Sequence, residues 1–273
     1  MKVVGVVGDG ADAVADRLAD RFDERGTVGT VRRESHDSRG PGGSEVPSGS
    51  TAETAFELGP DGWCARGKND SLADVSLNDV LDRLAPTHDY AVVSGFPSAD
   101  LPRVVVGDAD HAGTLLVRVD SPDALDVEEV VTQLGTIEPY ETLESLVARV
   151  KRDPKAERSG AIATFTGRVR ARDSDDDTPT EFLDFEMYEG VADEKMNAIR
   201  ADLEARDGVF TVLMHHRTGR IDYGEDIVFV VVLAGHRAEA FRTVEDGIDR
   251  LKAEVPIFKK EVTLDEQFWV HER

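Results

Sequence analysis

The feature that most constrains the fold is an opening run, Val3-Val4-Gly5-Val6-Val7, in which apolar residues follow one another instead of alternating with polar ones. A strand of this kind must bury both of its faces, and such strands belong to sheets covered by helices on both sides. Gly8-Asp9-Gly10 turns the chain, and Val14, Leu18 and Phe22 then form one stripe of a helix closed by Gly26. Val28 to Val31, Tyr90 to Gly95, Arg103 to Val106 and Leu115 to Val119 read as further strands, and Leu72 to Leu84 as a second helix. This alternation predicts a small parallel α/β domain. Residues 35–50 are rich in Gly, Ser and Pro, lack an apolar period and read as a loop. Ser121 to Glu138 is a connector with room for a short helix, which places the domain boundary near residue 135.

The second half, 136–273, has a different pattern. Helices are expected over Leu143 to Val150, Asp193 to Arg206 and Arg237 to Val255, the last stopped by Pro256. Strands are expected over Ala161 to Gly167 and over Phe182 to Tyr188, where Leu183, Phe185 and Met187 face one way. Val209 to His215 and Ile227 to Ala234 read as a pair around a turn at Asp222-Tyr223-Gly224. Strands joined by hairpins and covered by helices predict an α+β domain. Residues 171–180 form a very acidic loop.

Charge bears on the choice of ligand. The chain of 273 residues carries 55 acidic and 32 basic residues, a formal net charge of −23. Such a field repels nucleic acid and anionic membranes, so neither is an expected partner. Only eight of the basic residues are lysine, and acidity with arginine in place of lysine fits adaptation to high salt. The longest apolar run, Ile227 to Gly235, is too short to span a bilayer, for which about 20 residues are needed. A single cysteine, Cys64, leaves no disulfide framework and fits a reducing cytoplasm.

The turn after the first strand has the place of a phosphate cradle but not its chemistry. With Gly8 as the first glycine of a P-loop, Ala13, Val14 and Ala15 fall where Gly, Lys and Ser/Thr belong. The cation and the magnesium ligand are missing, and Asp9 and Asp12 would repel an anion. In the second half, by contrast, Lys252, Lys259 and Lys260 fall within nine residues of a chain that otherwise avoids lysine. An amine among other cations gives up its proton readily and can serve as nucleophile or base. Arg168 and Arg170 alternate with Val169 and share a face. His236-Arg237 stands at the start of the long helix, a natural place for an anion. His215-His216 lies at another strand end without a third ligand at suitable spacing, so no metal is expected.

These segments carry two resemblances. MKVVGVVGDG with the helix after it, and HDYAVVSGFPSADLPRVVV over 88–106, resemble the MobB-like P-loop accessory proteins of molybdopterin guanine dinucleotide biosynthesis. The departure at Ala13, Val14 and Ala15 marks the domain as degenerate. An accessory module that scaffolds other proteins or binds nucleotide is the alternative reading it supports. SGAIATFTGRVR (159–170), HHRTGRIDYGEDIVFVVVLAGHR (215–237) and LKAEVPIFKKE (251–261), with Trp269 beyond, resemble the MoaE family, the large catalytic subunit of molybdopterin synthase.

The second resemblance implies an α/β-hammerhead fold, a homodimer, and a ubiquitin-like sulfur carrier ending in a Gly-Gly thiocarboxylate. The implied reaction is a sulfurtransferase one: two dithiolene sulfurs are installed in cyclic pyranopterin monophosphate to give molybdopterin, with no cofactor. The family's substrate-binding positions fall on Arg168, Val169, Arg170, His236, Arg237, Lys252, Lys259, Lys260 and Glu261. Arg170, His236 and Arg237 would hold the phosphate charge. Lys259 would be the acid/base or covalent group, oriented by Glu261, and Lys252 would position the thiocarboxylate.

Overall fold

A computed structural model describes residues 1–33, 54–59, 62–65, 68–72, 75–172, 174–175, 177–263 and 267–270. The chain divides into two compact units, Met1–Glu141 and Thr142–Arg273. The loop expected over 35–50 lies outside the described residues.

The first unit is a sheet of eight strands: β1 (Lys2–Gly8), β2 (Val28–Arg33), β3 (Thr54–Gly59), β4 (Gly62–Ala65), β5 (Lys68–Leu72), β6 (Tyr90–Ser94), β7 (Arg103–Val106) and β8 (Leu115–Val119). Their order is β5-β4-β3-β2-β6-β1-β7-β8. From β3 to β8 all neighbours run parallel, whereas β3-β4 and β4-β5 are antiparallel. The apolar opening strand is central, as its pattern requires. Val4 and Val6 pack on one face against helix α1 (Ala11–Asp23), while Val3 packs on the other against helix α2 (Leu77–Leu84).

Two differences from expectation have local causes. Leu72 ends a strand and does not begin a helix. Helix α2 starts only after Ser76, whose hydroxyl accepts from the Asp79 N–H while the Asp79 carboxylate accepts from the Ser76 N–H. A helix does not extend upstream through such a capping box. The connector holds a full helix, α3 (Val127–Thr136), N-capped by Asp126. The connector is fastened to α1 and the turn after it by Arg17, which donates to the Leu125 carbonyl at 3.0 Å, and by Arg21 and Arg25, which both pair with Glu128.

Arg103 is fully buried in this unit. Its Nε donates to the Ala112 carbonyl at 2.6 Å, and its Nη2 to the carbonyls of Phe96, at 2.6 Å, and Ala99. Nη1 has no hydrogen-bond partner among the described residues. It lies 2.8 Å from the point a Cβ on Gly5 would occupy, so glycine at this strand position makes room for the guanidinium. Burial holds the guanidinium below its ordinary pKa, and nearby Asp100 acts against that shift. Arg103→Met is expected to destabilise the unit by about 3 kcal/mol, because three carbonyls lose their donor. Chemical denaturation measures this; an unchanged midpoint would show that the clamp is dispensable.

The second unit comprises α4 (Leu143–Lys151), β9 (Ala161–Arg168), β10 (Thr180–Met187), α5 (Glu189–Glu204), β11 (Val209–His216), β12 (Gly219–Asp222), β13 (Asp226–Ala234), α6 (Arg237–Glu254), β14 (Ile257–Thr263) and β15 (Gln267–Val270). One sheet has the order β11-β13-β9, the other β12-β10-β14-β15, and every pairing is antiparallel. β13 is buried on both faces, which explains its unbroken apolar run. Val228, Val230 and Val232 face α5 and α6, and Phe229, Val231 and Leu233 face α4. β11 and β13 pair as expected, but the link between them is more than a turn. It leaves the first sheet, pairs as β12 with β10 in the second, and returns through Gly224 at φ +87.

Candidate functional site

The site residues are placed by the ends of β9, β13 and α6 and by strand β14. β9 ends at Arg168, whose register partner is Asp226, the first residue of β13. Arg168 and Arg170 are exposed and Val169 between them is buried, as the alternation predicts. Val169 joins a small apolar cluster with Leu183, Phe185 and Ile221, against which Ile227 and Ile257 pack.

That cluster lies beside β14. Residues directly opposite across an antiparallel pair point to the same side. Lys259 faces Phe185 and Glu261 faces Leu183, so Lys259 and Glu261 stand on the cluster side of the second sheet. Lys259 is half-buried there, and the Glu261 carboxylate accepts a hydrogen bond from the Thr180 hydroxyl. Lys260 and Phe258 point to the other side. Lys260 stands opposite Asp184, and the Phe258 ring meets Tyr188 edge-on at 5.5 Å. Val169 therefore belongs to the apolar cluster that Lys259 and Glu261 face, and Arg168 and Arg170 flank Val169 as exposed residues.

Lys252 is exposed on the last turns of α6. α6 runs back along β13. Its Gly247 lies over the strand's midpoint, where an added Cβ would meet Val230 at 3.1 Å. Ile257, three residues past the helix end, packs with Val169's cluster. Lys252 thus sits toward the Asp226 end of the sheet.

His236 and Arg237 lie elsewhere. They follow Ala234, which pairs with Ala161 at the opposite end of β9. Eight strand steps separate Asp226 from Ala234, about 27 Å at the usual rise. Along α6, Arg237 and Lys252 are about 22 Å apart. Both exposed side chains at the helix start are therefore remote, within one chain, from the arginines and lysines at the other end. Of the histidine pair, His215 stacks on Phe229, and His216 is buried, with Nδ1–H donating to the Arg217 carbonyl at 2.8 Å and its ring edge-on to Phe185. Among the described residues no three His, Cys, Asp or Glu side chains are grouped to hold a metal. No helix among them is long and apolar enough to cross a membrane.

Sequence reasoning missed a group that holds the arginine segment. The Arg168 guanidinium pairs with Asp226 at 3.1 Å and donates to the Gly224 carbonyl. Arg217 donates to the Asp226 carbonyl at 3.0 Å and stands 4.0 Å from the Glu225 carboxylate. The signal was visible as Gly224-Glu225-Asp226 just before an apolar strand, but nothing in the sequence says which cations those carboxylates meet.

The phosphate-cradle position of the first unit does not fit a nucleoside triphosphate. Gly10 begins α1 in the left-handed region, and Pro122 Cγ lies 2.5 Å from the point its Cβ would occupy. Asp12 stands in the first turn and accepts from Ser94 at 2.7 Å, while Val14 and Ala15, at the cation and hydroxyl positions, are buried. Titration of the full chain with magnesium GTP is expected to give no saturable heat; a stoichiometric isotherm would contradict this reading of the turn.

Residues 136–254 match the family model described as MoaE protein. Over 274 residues and 100% of both chains, this chain is 52% identical to a probable molybdopterin synthase of Haloferax volcanii. It is 37% identical to the molybdopterin synthase catalytic subunit of Pyrococcus abyssi over 112 residues, 41% of this chain and 74% of that one. A solved structure of Bacillus subtilis MobB aligns with 50% of this chain and 100% of that one at 19% identity and a TM-score of 0.31.

Proposed function

We propose, for a chain that belongs to the molybdopterin synthase family and carries a MoaE domain, that it is the catalytic subunit acting as a sulfurtransferase on cyclic pyranopterin monophosphate. Its place is in molybdopterin biosynthesis. The sulfur donor in this reading is the Gly-Gly thiocarboxylate of a ubiquitin-like carrier. The second unit is read as an α/β-hammerhead, and the first as a MobB-like domain that keeps its α/β frame without the phosphate chemistry.

One observation carries the reading: Lys259 is half-buried on the side of β14 that faces the cluster of Val169, the residue that Arg168 and Arg170 flank in the chain. In a molecule of net charge −23, an anionic substrate needs local cationic groups to overcome the general field. Lys259 exchanges protons with the substrate or anchors it covalently. Lys252 polarises the carrier's acyl group, where an ammonium stabilises the negative charge that develops on oxygen. Arg170 holds the phosphate by charge-assisted hydrogen bonds, with Arg168, Val169 and Glu261 shaping the site, while Lys260, expected there from the sequence, faces the other side of the sheet opposite Asp184.

His236 and Arg237 enter from a second copy of the chain. Because they stand about 27 Å of strand from Arg168, a homodimer that sets one protomer's helix start against its partner's β9 exit joins what one chain separates. In a two-fold dimer this contact occurs twice, giving two complete sites.

The test is a reconstituted assay with thiocarboxylated carrier and cyclic pyranopterin monophosphate. Lys259→Ala is expected to lower dithiolene formation at least about 100-fold, the scale of a lost acid/base group. Equal yield from the variant and the unaltered protein would remove the assignment.

A further inference from the structure

The segment Arg168-Val169-Arg170 leaves β9 just where regular strand pairing stops. Its conformation must therefore be set by other contacts, and they converge on three consecutive residues. The Val169 N–H donates to the Glu225 carbonyl at 2.9 Å, and the Gly224 N–H donates to the Val169 carbonyl at 2.9 Å. Arg168 spans the same residues from one side, through Asp226 and the Gly224 carbonyl. Arg217 reaches them from β11 through the Asp226 carbonyl. The Glu225 carboxylate turns inward and accepts from the Asp222 N–H at 3.0 Å.

From this knot we infer that Asp226 is a positioning residue for the sulfur-transfer site, and that Arg168 is held by it instead of gripping the substrate directly. The inference rests on the proposed role of Arg170 in binding the substrate phosphate. The Asp226 carboxylate fixes the Arg168 guanidinium, the Gly224–Glu225 backbone fixes Val169, and the next residue, Arg170, is delivered in one orientation. Burying Val169 below the pair gives the segment a fixed floor, so the two arginines differ in task although they share a face. The Arg168–Asp226 pair itself is largely exposed, with 64% and 39% of the two side chains accessible, so its loss has a bounded effect.

The experiment compares Asp226→Asn, Asp226→Glu and the exchanged pair Arg168→Asp with Asp226→Arg in the reconstituted assay. Asp226→Asn is expected to raise KM for cyclic pyranopterin monophosphate about fivefold, the upper scale for an exposed pair, with kcat within about twofold. Asp226→Glu and the exchanged pair are expected to restore KM. An unchanged KM in Asp226→Asn overturns the inference, and so does an exchanged pair that stays as impaired as Arg168→Asp alone, because Arg168 then contacts the substrate itself. Arg170→Ala separates the two levels: if it too leaves KM unchanged, the reading of the site fails, whereas a raised KM there beside an unaffected Asp226→Asn removes only the positioning role.

Discussion

The antiparallel pairing of β9 with β13 is the constraint on which the rest of the second unit depends. β13 is covered on both faces, by α5 and α6 on one and α4 on the other, so its register is fixed by the burial of every residue from Val228 to Ala234. A slip of one residue would turn Val230 and Val232 toward α4 and Phe229 and Val231 toward α6, refilling both layers with the wrong volumes. With the register fixed, Ala161 lies opposite Ala234 and Arg168 opposite Asp226. One end of this strand pair then carries Arg168 and the other leads into His236-Arg237, from which α6 runs back along β13 toward Lys252.

Charge is managed by pairing and not by removal. Basic residues are few, and many are engaged with carboxylates: Arg21 and Arg25 with Glu128, Arg206 with Asp246, and Arg250 with Asp202 and Glu254. Exposed pairs of this kind add little stability individually. Their value on an acidic surface is to hold neighbouring elements without adding positive field. Arg103 departs from this pattern, being buried on carbonyls instead of carboxylates.

Much of this was legible beforehand. The continuous apolar runs at Val3–Val7 and Ile227–Ala234 report strands buried on both faces, and both are central. The alternation of Leu183, Phe185 and Met187 fixes the inner side of β10, and through it the side that Lys259 takes. The start of α2 was less visible, because a capping box at Ser76 and Asp79 outweighs the apolar period upstream. The strand β12 went unread in the link just before the turn at Asp222-Tyr223-Gly224, since four residues pairing with a distant strand leave almost no local pattern. Proximity along the chain also misled in one respect. His236-Arg237 and Lys252 share a helix, and their separation becomes plain only when the helix is given its length.

The central claim is that one chain holds its cationic groups at two ends of a sheet and that a second chain brings them together. Mixing two inactive proteins tests this most directly, one carrying Lys259→Ala and the other Arg237→Ala, after dissociation and reassociation. The account predicts that the mixture recovers about a quarter of the unaltered activity, since half the dimers are mixed and each of those has one intact site. A mixture that stays as inactive as its components would place both residues in the same chain's site and contradict the account.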